Sequence, residues 1–380
     1  SRAARALSRA GWPMALLALA ACTGGDAPAP GDTGASPRFA LAVVGDSDSH
    51  SYQDRISFPE GDPARGGAYR AVSFNWYEIL ARLRADQLDL GEWGVRGTRG
   101  RIARALRAVG IPARAPRKQD YDYNFAISGA GCEDLVEGYR EVPSLLAMMD
   151  ADPAPWRHGA VVFRIGVNSF GTQRALEALG ADPGDARVNG AIDACVAALG
   201  ESVARIHARH PDTRVVLVGI FDNTHWAMHF DHAWSPEALA NVARGLDRFD
   251  DALRAMAASD DRVAFFDDRA WFRAHFGDRD ARGQGAYRTL EFVDGTRVEN
   301  KMGDAPTHTT LADGHAGTLV SGRWAASLLD FIGQQWGLDF RPLGDRELLA
   351  LVAPTGPAVV SADGREQEGA DRPATPPAAR

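Results

Sequence analysis

The chain lacks the features that mark several common protein classes. Three cysteines in 380 residues are too few for a disulfide-built scaffold. Positive charge is not in surplus: the formal net charge is −8, which argues against a nucleic-acid partner. The apolar stretch 11–21 falls short of the roughly 20 residues a membrane-spanning helix needs. There is no phosphate-binding P-loop pattern, no G-x-S-x-G elbow of the α/β-hydrolase kind, and no internal repeat. What remains is an ordinary globular composition, 45% hydrophobic, long enough for one large domain or two ordinary ones.

Both ends of the chain differ from its middle. Arg2, Arg5 and Arg9 precede the short apolar stretch, which ends in Leu19-Ala20-Ala21-Cys22. This resembles the lipobox of bacterial lipoproteins. The resemblance implies a signal peptide over 1–21, a lipid on Cys22 that anchors the protein to a membrane, and a periplasmic or cell-surface location. Residues 22–37 then read as a flexible tether, rich in Gly, Ala, Pro, Asp and Thr. The expected folded domain covers 38–341. Residues 342–380 read as a largely disordered extension, because Pro, Ala and Gly dominate from about 354 onward. With Cys22 set aside, Cys132 and Cys195 form either a disulfide or two buried thiols.

Between the ends, strand and helix patterns alternate. Short apolar runs at 39–44, 123–127, 160–165, 213–220 and 262–266 read as five buried strands. Helical patterns fall at 74–85, 99–109, 185–209, 237–257 and 318–336. The clearest is 185–209, where Val188, Ile192, Val196, Leu199, Val203 and Ile206 recur at steps of three and four. Such alternation predicts an open α/β sheet, mainly parallel, with helices on both faces. The runs 289–293 and 296–299 flank Asp294-Gly295 and predict an inserted β-hairpin.

Four short blocks sit at the ends of these elements. Gly45-Asp46-Ser47 follows the first strand. Ser128-Gly129 closes the second, and Gly166-Val167-Asn168 follows the third. Asp313-Gly314-His315 precedes the last helix. In a parallel sheet the strand C-termini share one edge, where open α/β folds bind ligands. Acyl transfer needs residues of these types. A serine hydroxyl (Ser47) must lose its proton to a base (His315), and a carboxylate (Asp313) must hold the imidazole in the right tautomer. The amides of Ser47 and Gly129 and the side chain of Asn168 can supply donors to an oxyanion. Taken singly, each block has a plain reading as a turn, a loop cap or a helix start. Their joint order carries the inference.

In these blocks the chain resembles the SGNH, or GDSL-type, hydrolases, over roughly residues 38–341. The resemblance implies a flavodoxin-like three-layer α/β/α fold, serine esterase activity on a small-molecule or glycan acyl ester, and no metal or other cofactor. It implies Ser47 as nucleophile, His315 as base, and Gly129 and Asn168 in the oxyanion hole. The family usually carries its aspartate three residues before the histidine. Here Ala312 holds that place, so Asp313 needs a local turn to reach the ring, and Asp304 is the fallback. A carbohydrate acyl ester is the first expected substrate and a short-chain lipid ester the second. The alternatives are a glycan O-acyltransferase and an inactive binding protein that kept the fold.

Two further clusters compete for attention. His225, His229 and His232 would share a face if 224–232 were helical, a spacing that can hold zinc. The interleaved Trp226, Met228 and Phe230 favour a substrate-facing loop instead, so no metal site is assigned. His50 and His225 are taken as candidate substrate contacts. Arg96, Arg99 and Arg101, in and beside a glycine-rich stretch, read as a solvated loop and helix start.

Overall fold

The computed structural model describes residues 38–353. The expected signal segment, Cys22 with its tether, and the chain after 353 lie outside the described residues.

The first half comprises β1 (Phe39–Gly45), α1 (Trp76–Leu83), β2 (Leu88–Asp89), β3 (Trp93–Arg96), α2 (Gly100–Ala108), β4 (Lys118–Tyr121), α3 (Glu141–Ala151) and β5 (Ala160–Arg164). There follow α4 (Val167–Phe170), α5 (Gln173–Ala181), α6 (Ala186–Arg209), β6 (Arg214–Val218), α7 (Pro236–Ser259), β7 (Val263–Phe266) and α8 (Asp268–Phe276). The last part holds β8 (Leu290–Glu291), β9 (Arg297–Met302), β10 (His308–Thr310), α9 (Thr318–Trp336) and α10 (Asp345–Val352).

Five strands form one parallel sheet in the order β2-β1-β5-β6-β7. Side chains alternate across it. Ala40, Ala42 and Val44 join the core made with α3, α5, α6 and α7. Leu41 and Val43 join the core made with α1, α8 and α9. Both faces are thus covered, and the expected α/β architecture with a five-stranded parallel sheet is the observed one. In α6 the stripe buries Val188, Ile192, Leu199 and Ile206, with Val196 and Val203 packed at its margin. Cys132 and Cys195 are disulfide-bonded, tying the loop before α3 to α6 with a Cα–Cα distance of 5.0 Å.

Three expectations change in detail. Residues 123–127 do run beside the end of β1: Phe125 N–H donates to Val43 O at 2.8 Å and Ile127 N–H to Gly45 O at 2.9 Å. Only the Val43–Asn124 bridge is regular, however, because Gly45 N–H, which would pair next, donates to the Glu141 carboxylate at 2.9 Å. The sheet's edge strand is β2, which occupies the other half of the same edge. The hairpin on Asp294-Gly295 forms as β8 and β9, and β9 extends to Met302 to pair with β10. The extension 342–380 was expected to be largely disordered, yet 345–352 is the helix α10. Leu348 buries itself over Gly322 of α9, where a Cβ would meet Leu348 Cδ2 at 2.6 Å. Arg84 pairs with Glu347 at 2.8 Å and Arg323 with Asp345 at 2.7 Å.

Candidate active site

The nucleophile candidate sits where β1 stops. Gly45 approaches β5 so closely that a Cβ would lie 2.1 Å from Arg164 O. Asp46 O then accepts Ser49 N–H and His50 N–H, turning the chain sharply and leaving Ser47 half-exposed at the bend. Beneath this bend lies a buried polar platform. Glu78, reached through the capping box of α1, accepts the Ser51 hydroxyl, Tyr52 N–H (3.1 Å) and Gln53 N–H (3.1 Å). Lys118 donates to Asp120 at 2.8 Å and to Ala126 O at 2.5 Å, and Asp120 accepts Ser51 N–H. Burial pushes the Asp46 carboxyl up to about 8 and Glu78 up to about 7, and lowers Lys118 from its ordinary value.

Asp313-Gly314-His315 crowns a tight loop closed by Leu311 N–H to His315 O at 2.7 Å, with Gly314 at φ +88°. Asp313 Oδ1 accepts His315 N–H at 3.2 Å, and this Asx-type turn brings the same oxygen within 3.1 Å of His315 Nδ1. A two-residue spacing therefore brings this carboxylate within hydrogen-bond reach of the ring. Asp304 goes elsewhere and accepts Ala312 N–H. Burial would raise the Asp313 carboxyl, but the bond to His315 and the charge of Arg65 outweigh it and hold it well below the usual carboxylate range.

Ser47, Gly129, Asn168, Asp313 and His315 line one cavity of about 350 Å³. Gly129 has φ +83°, a conformation that suits glycine. Asn168 Nδ2 donates one hydrogen to Ala130 O at 2.9 Å, which fixes the amide and leaves its second hydrogen free. Phe221, Trp226, Met228, Trp271 and Trp324 form an apolar wall. No group of His, Cys, Asp and Glu among the described residues is arranged to hold a metal ion.

Neither histidine named as a candidate substrate contact lines this cavity. His50 is buried, 1% exposed. Its Nδ1 accepts Ser128 N–H at 3.0 Å and its Nε2–H donates to Asp54 at 2.9 Å, so it braces the loop that carries Gly129. Burial, with Lys118 nearby, lowers its pKa and keeps the ring neutral as those bonds require. His225 turns to Tyr287 OH at 2.9 Å, while its neighbours Asn223, Trp226 and Met228 face the cavity. The stretch is two short 3₁₀ turns separated by an extended Trp226, so His225, His229 and His232 share no helix face.

Several cavity residues left no signal in the sequence. Arg65, 4% exposed, bonds Asp313 through its backbone N–H at 2.8 Å and through its guanidinium, and its Nη1 lies 2.7 Å from His315 Nδ1. Arg164 stacks on Trp324 at 4.2 Å, between Asp48 and Asp268. Burial raises the Asp268 carboxyl to about 6. These side chains reach the site from a loop, the last residue of β5 and the first residue of α8, with no motif to mark them.

The family model described as GDSL-like Lipase/Acylhydrolase matches residues 45–287, and the chain belongs to this family of carboxylic ester hydrolases. The match contains Ser47, Gly129 and Asn168 and ends before His315. Among solved structures, the chain is similar to an extracellular lipase from Streptomyces rimosus, with 16% identity and a TM-score of 0.34, over 62% of this chain and 83% of that one. It is also similar to phospholipase A1 from Streptomyces albidoflavus NA297, with 13% identity and a TM-score of 0.37, over 79% of this chain and all of that one. No curated protein matches the chain.

Proposed function

We propose that the chain is a serine esterase that cleaves acyl esters in two steps through an acyl-Ser47 intermediate. The observation that carries this reading is the meeting of Ser47, Gly129, Asn168 and the Asp313–His315 pair on one cavity. His315 Nε2 takes the Ser47 proton as Oγ attacks the ester carbonyl. In that tautomer the Nδ1 proton goes to Asp313 Oδ1, and Arg65, which can only donate, serves Asp313 Oδ2 rather than the ring. The amides of Ser47 and Gly129 and the free hydrogen of Asn168 Nδ2 receive the oxyanion. The imidazolium then protonates the leaving alcohol, and water enters by the same route in reverse. Asp313 lies within hydrogen-bond reach of the ring, which supports this reading over that of an inactive binding protein.

The apolar wall of Phe221, Trp226, Met228 and Trp271 suits a short acyl chain. For the alcohol part we favour a carbohydrate, with a short-chain lipid ester second. The exported setting proposed from Cys22 supports that order. Hydrolysis of p-nitrophenyl acetate and octanoate by the full chain, beside Ser47→Ala, tests the reading. Activity should fall by at least about 10⁴-fold in the variant. Equal rates for the two proteins, with the variant folded, would remove the acyl-serine mechanism.

A further inference from the structure

The chain is acidic overall, yet residues 96–118 carry eight basic side chains and no acidic one. Arg99, Arg101, Arg104 and Arg117 are exposed and make no ion pair among the described residues. Lys118 belongs to the buried platform, and Arg96 and Arg114 reach Asp122, so the unpaired charge gathers on and around α2.

The helix α2 is amphipathic in pattern but buries only Ala103. Ile102, Leu106 and Val109 fall at i, i+4 and i+7, on one stripe. Ile102 is 49% and Val109 71% exposed, and Ile111 just beyond is 50% exposed. Arg99, the N-cap residue, and Arg101 are the exposed arginines nearer this stripe, while Arg104 falls on the opposite side of the helix. An apolar stripe facing the core would explain the pattern in an ordinary surface helix. Here Ile102 and Val109 face outward with Leu106 half-buried between them, and the adjoining strand β3 adds exposed Trp93 and Val95. Five of the twelve large apolar side chains exposed among the described residues lie within residues 93–111.

We propose that this excursion, with α2 at its centre, docks the protein on an anionic phospholipid surface. Charge complementarity chooses the sign of the partner: unpaired arginines on an otherwise acidic protein face phosphate headgroups. The outward apolar stripe chooses its nature, since a soluble polyanion offers no apolar phase to receive Ile102, Val109 and Ile111. Arginines beside the stripe can lay their stems on the acyl boundary and keep their guanidinium groups among the headgroups. No helix among the described residues is long and apolar enough to cross a membrane, so the contact is interfacial.

The test is flotation of the full chain with vesicles, the protein being made by cell-free translation under oxidising conditions so that no acyl group is attached. Vesicles of phosphatidylcholine with about one-third phosphatidylglycerol should carry the protein up the gradient, and pure phosphatidylcholine should not. Each arginine near an anionic surface is worth about fivefold in binding, so the triple variant R99Q/R101Q/R117Q should bind roughly a hundredfold more weakly. The triple variant I102S/V109S/I111S should lose binding at unchanged charge. Circular dichroism and the thermal midpoint check that both variants fold. No flotation on anionic vesicles at low salt overturns the proposal. So does binding that survives the serine substitutions, because the apolar stripe would then play no part and the patch would be a general polyanion site. The readout needs no enzymatic turnover, so it stands or falls apart from the esterase reading.

Discussion

The loop under Ser47 and the excursion around α2 are both rich in charge, and they treat it in opposite ways. Under the loop, Glu78, Lys118 and Asp120 are almost wholly buried, and each has hydrogen-bond partners in the protein. Around α2, Arg101 and Arg104 are exposed and make no ion pair among the described residues. A buried charge without partners costs several kcal/mol, so charge enters the interior only as a satisfied set. At the surface, water solvates a guanidinium at no comparable cost, and unpaired arginines are free to meet something outside the protein. Charge in the first region holds a shape, and charge in the second is available for recognition.

The contrast can be broken most directly at Lys118. Lys118→Ala leaves Asp120 buried and unpaired, so urea unfolding should show a loss of about 3–5 kcal/mol. A loss under about 1 kcal/mol would mean that the platform is less cooperative than its bonds suggest. Next comes Asn168→Ala, which removes an oxyanion donor while leaving the platform intact. It should lower kcat by about 10²–10³-fold with a much smaller change in KM, and an effect confined to KM would move Asn168 out of the oxyanion hole.

The pH response sharpens the same point. Asp46 is raised from 3.8 to about 8, so the folded state keeps its proton where the unfolded chain has already released it. Such a group lowers stability as pH rises through that window and stops doing so above about 8. His50, lowered from 6.5, acts only below that value. Between pH 6.5 and 8 the thermal midpoint should therefore fall in the parent and fall less in Asp46→Asn. Parallel curves would show that Asp46 ionises normally in the folded protein. The smallest effect belongs to the excursion: R101Q/R104Q should shift stability by no more than about 0.5 kcal/mol. A larger loss would reveal partners for these arginines within the fold.

Much of this molecule is legible along the chain. The long helices α6, α7 and α9 repeat their apolar residues with the helical period, and the hairpin is announced by Asp294-Gly295. The ends of β1 and β5 carry Gly-Asp-Ser and Gly-Val-Asn because a strand end must turn, and a reactive group is exposed there. Other features were not legible. Residues 123–127 have a strand's composition but form one bridge, since Gly45 N–H goes to Glu141 instead of to them. The helix α10 hides beside a Pro- and Ala-rich tail and exists because Leu348 finds Gly322 and Arg84 finds Glu347. His50 and His225 are candidate substrate contacts by their neighbours in sequence, but neither lines the cavity, and each ring bonds a partner the sequence does not name.

By itself, then, the sequence determined the layer architecture, the strand ends that meet at one edge, and the residue types for acyl chemistry, because periodicity and turn chemistry are local. The tertiary structure decided what depends on distance: that Asp313 reaches His315 through its own Asx-type turn, that Arg65 joins them from 248 residues away in the chain, and that Ile102 and Val109 of α2 face outward. Contacts between residues far apart in the chain exist only once the chain has closed on itself, and no local pattern encodes them.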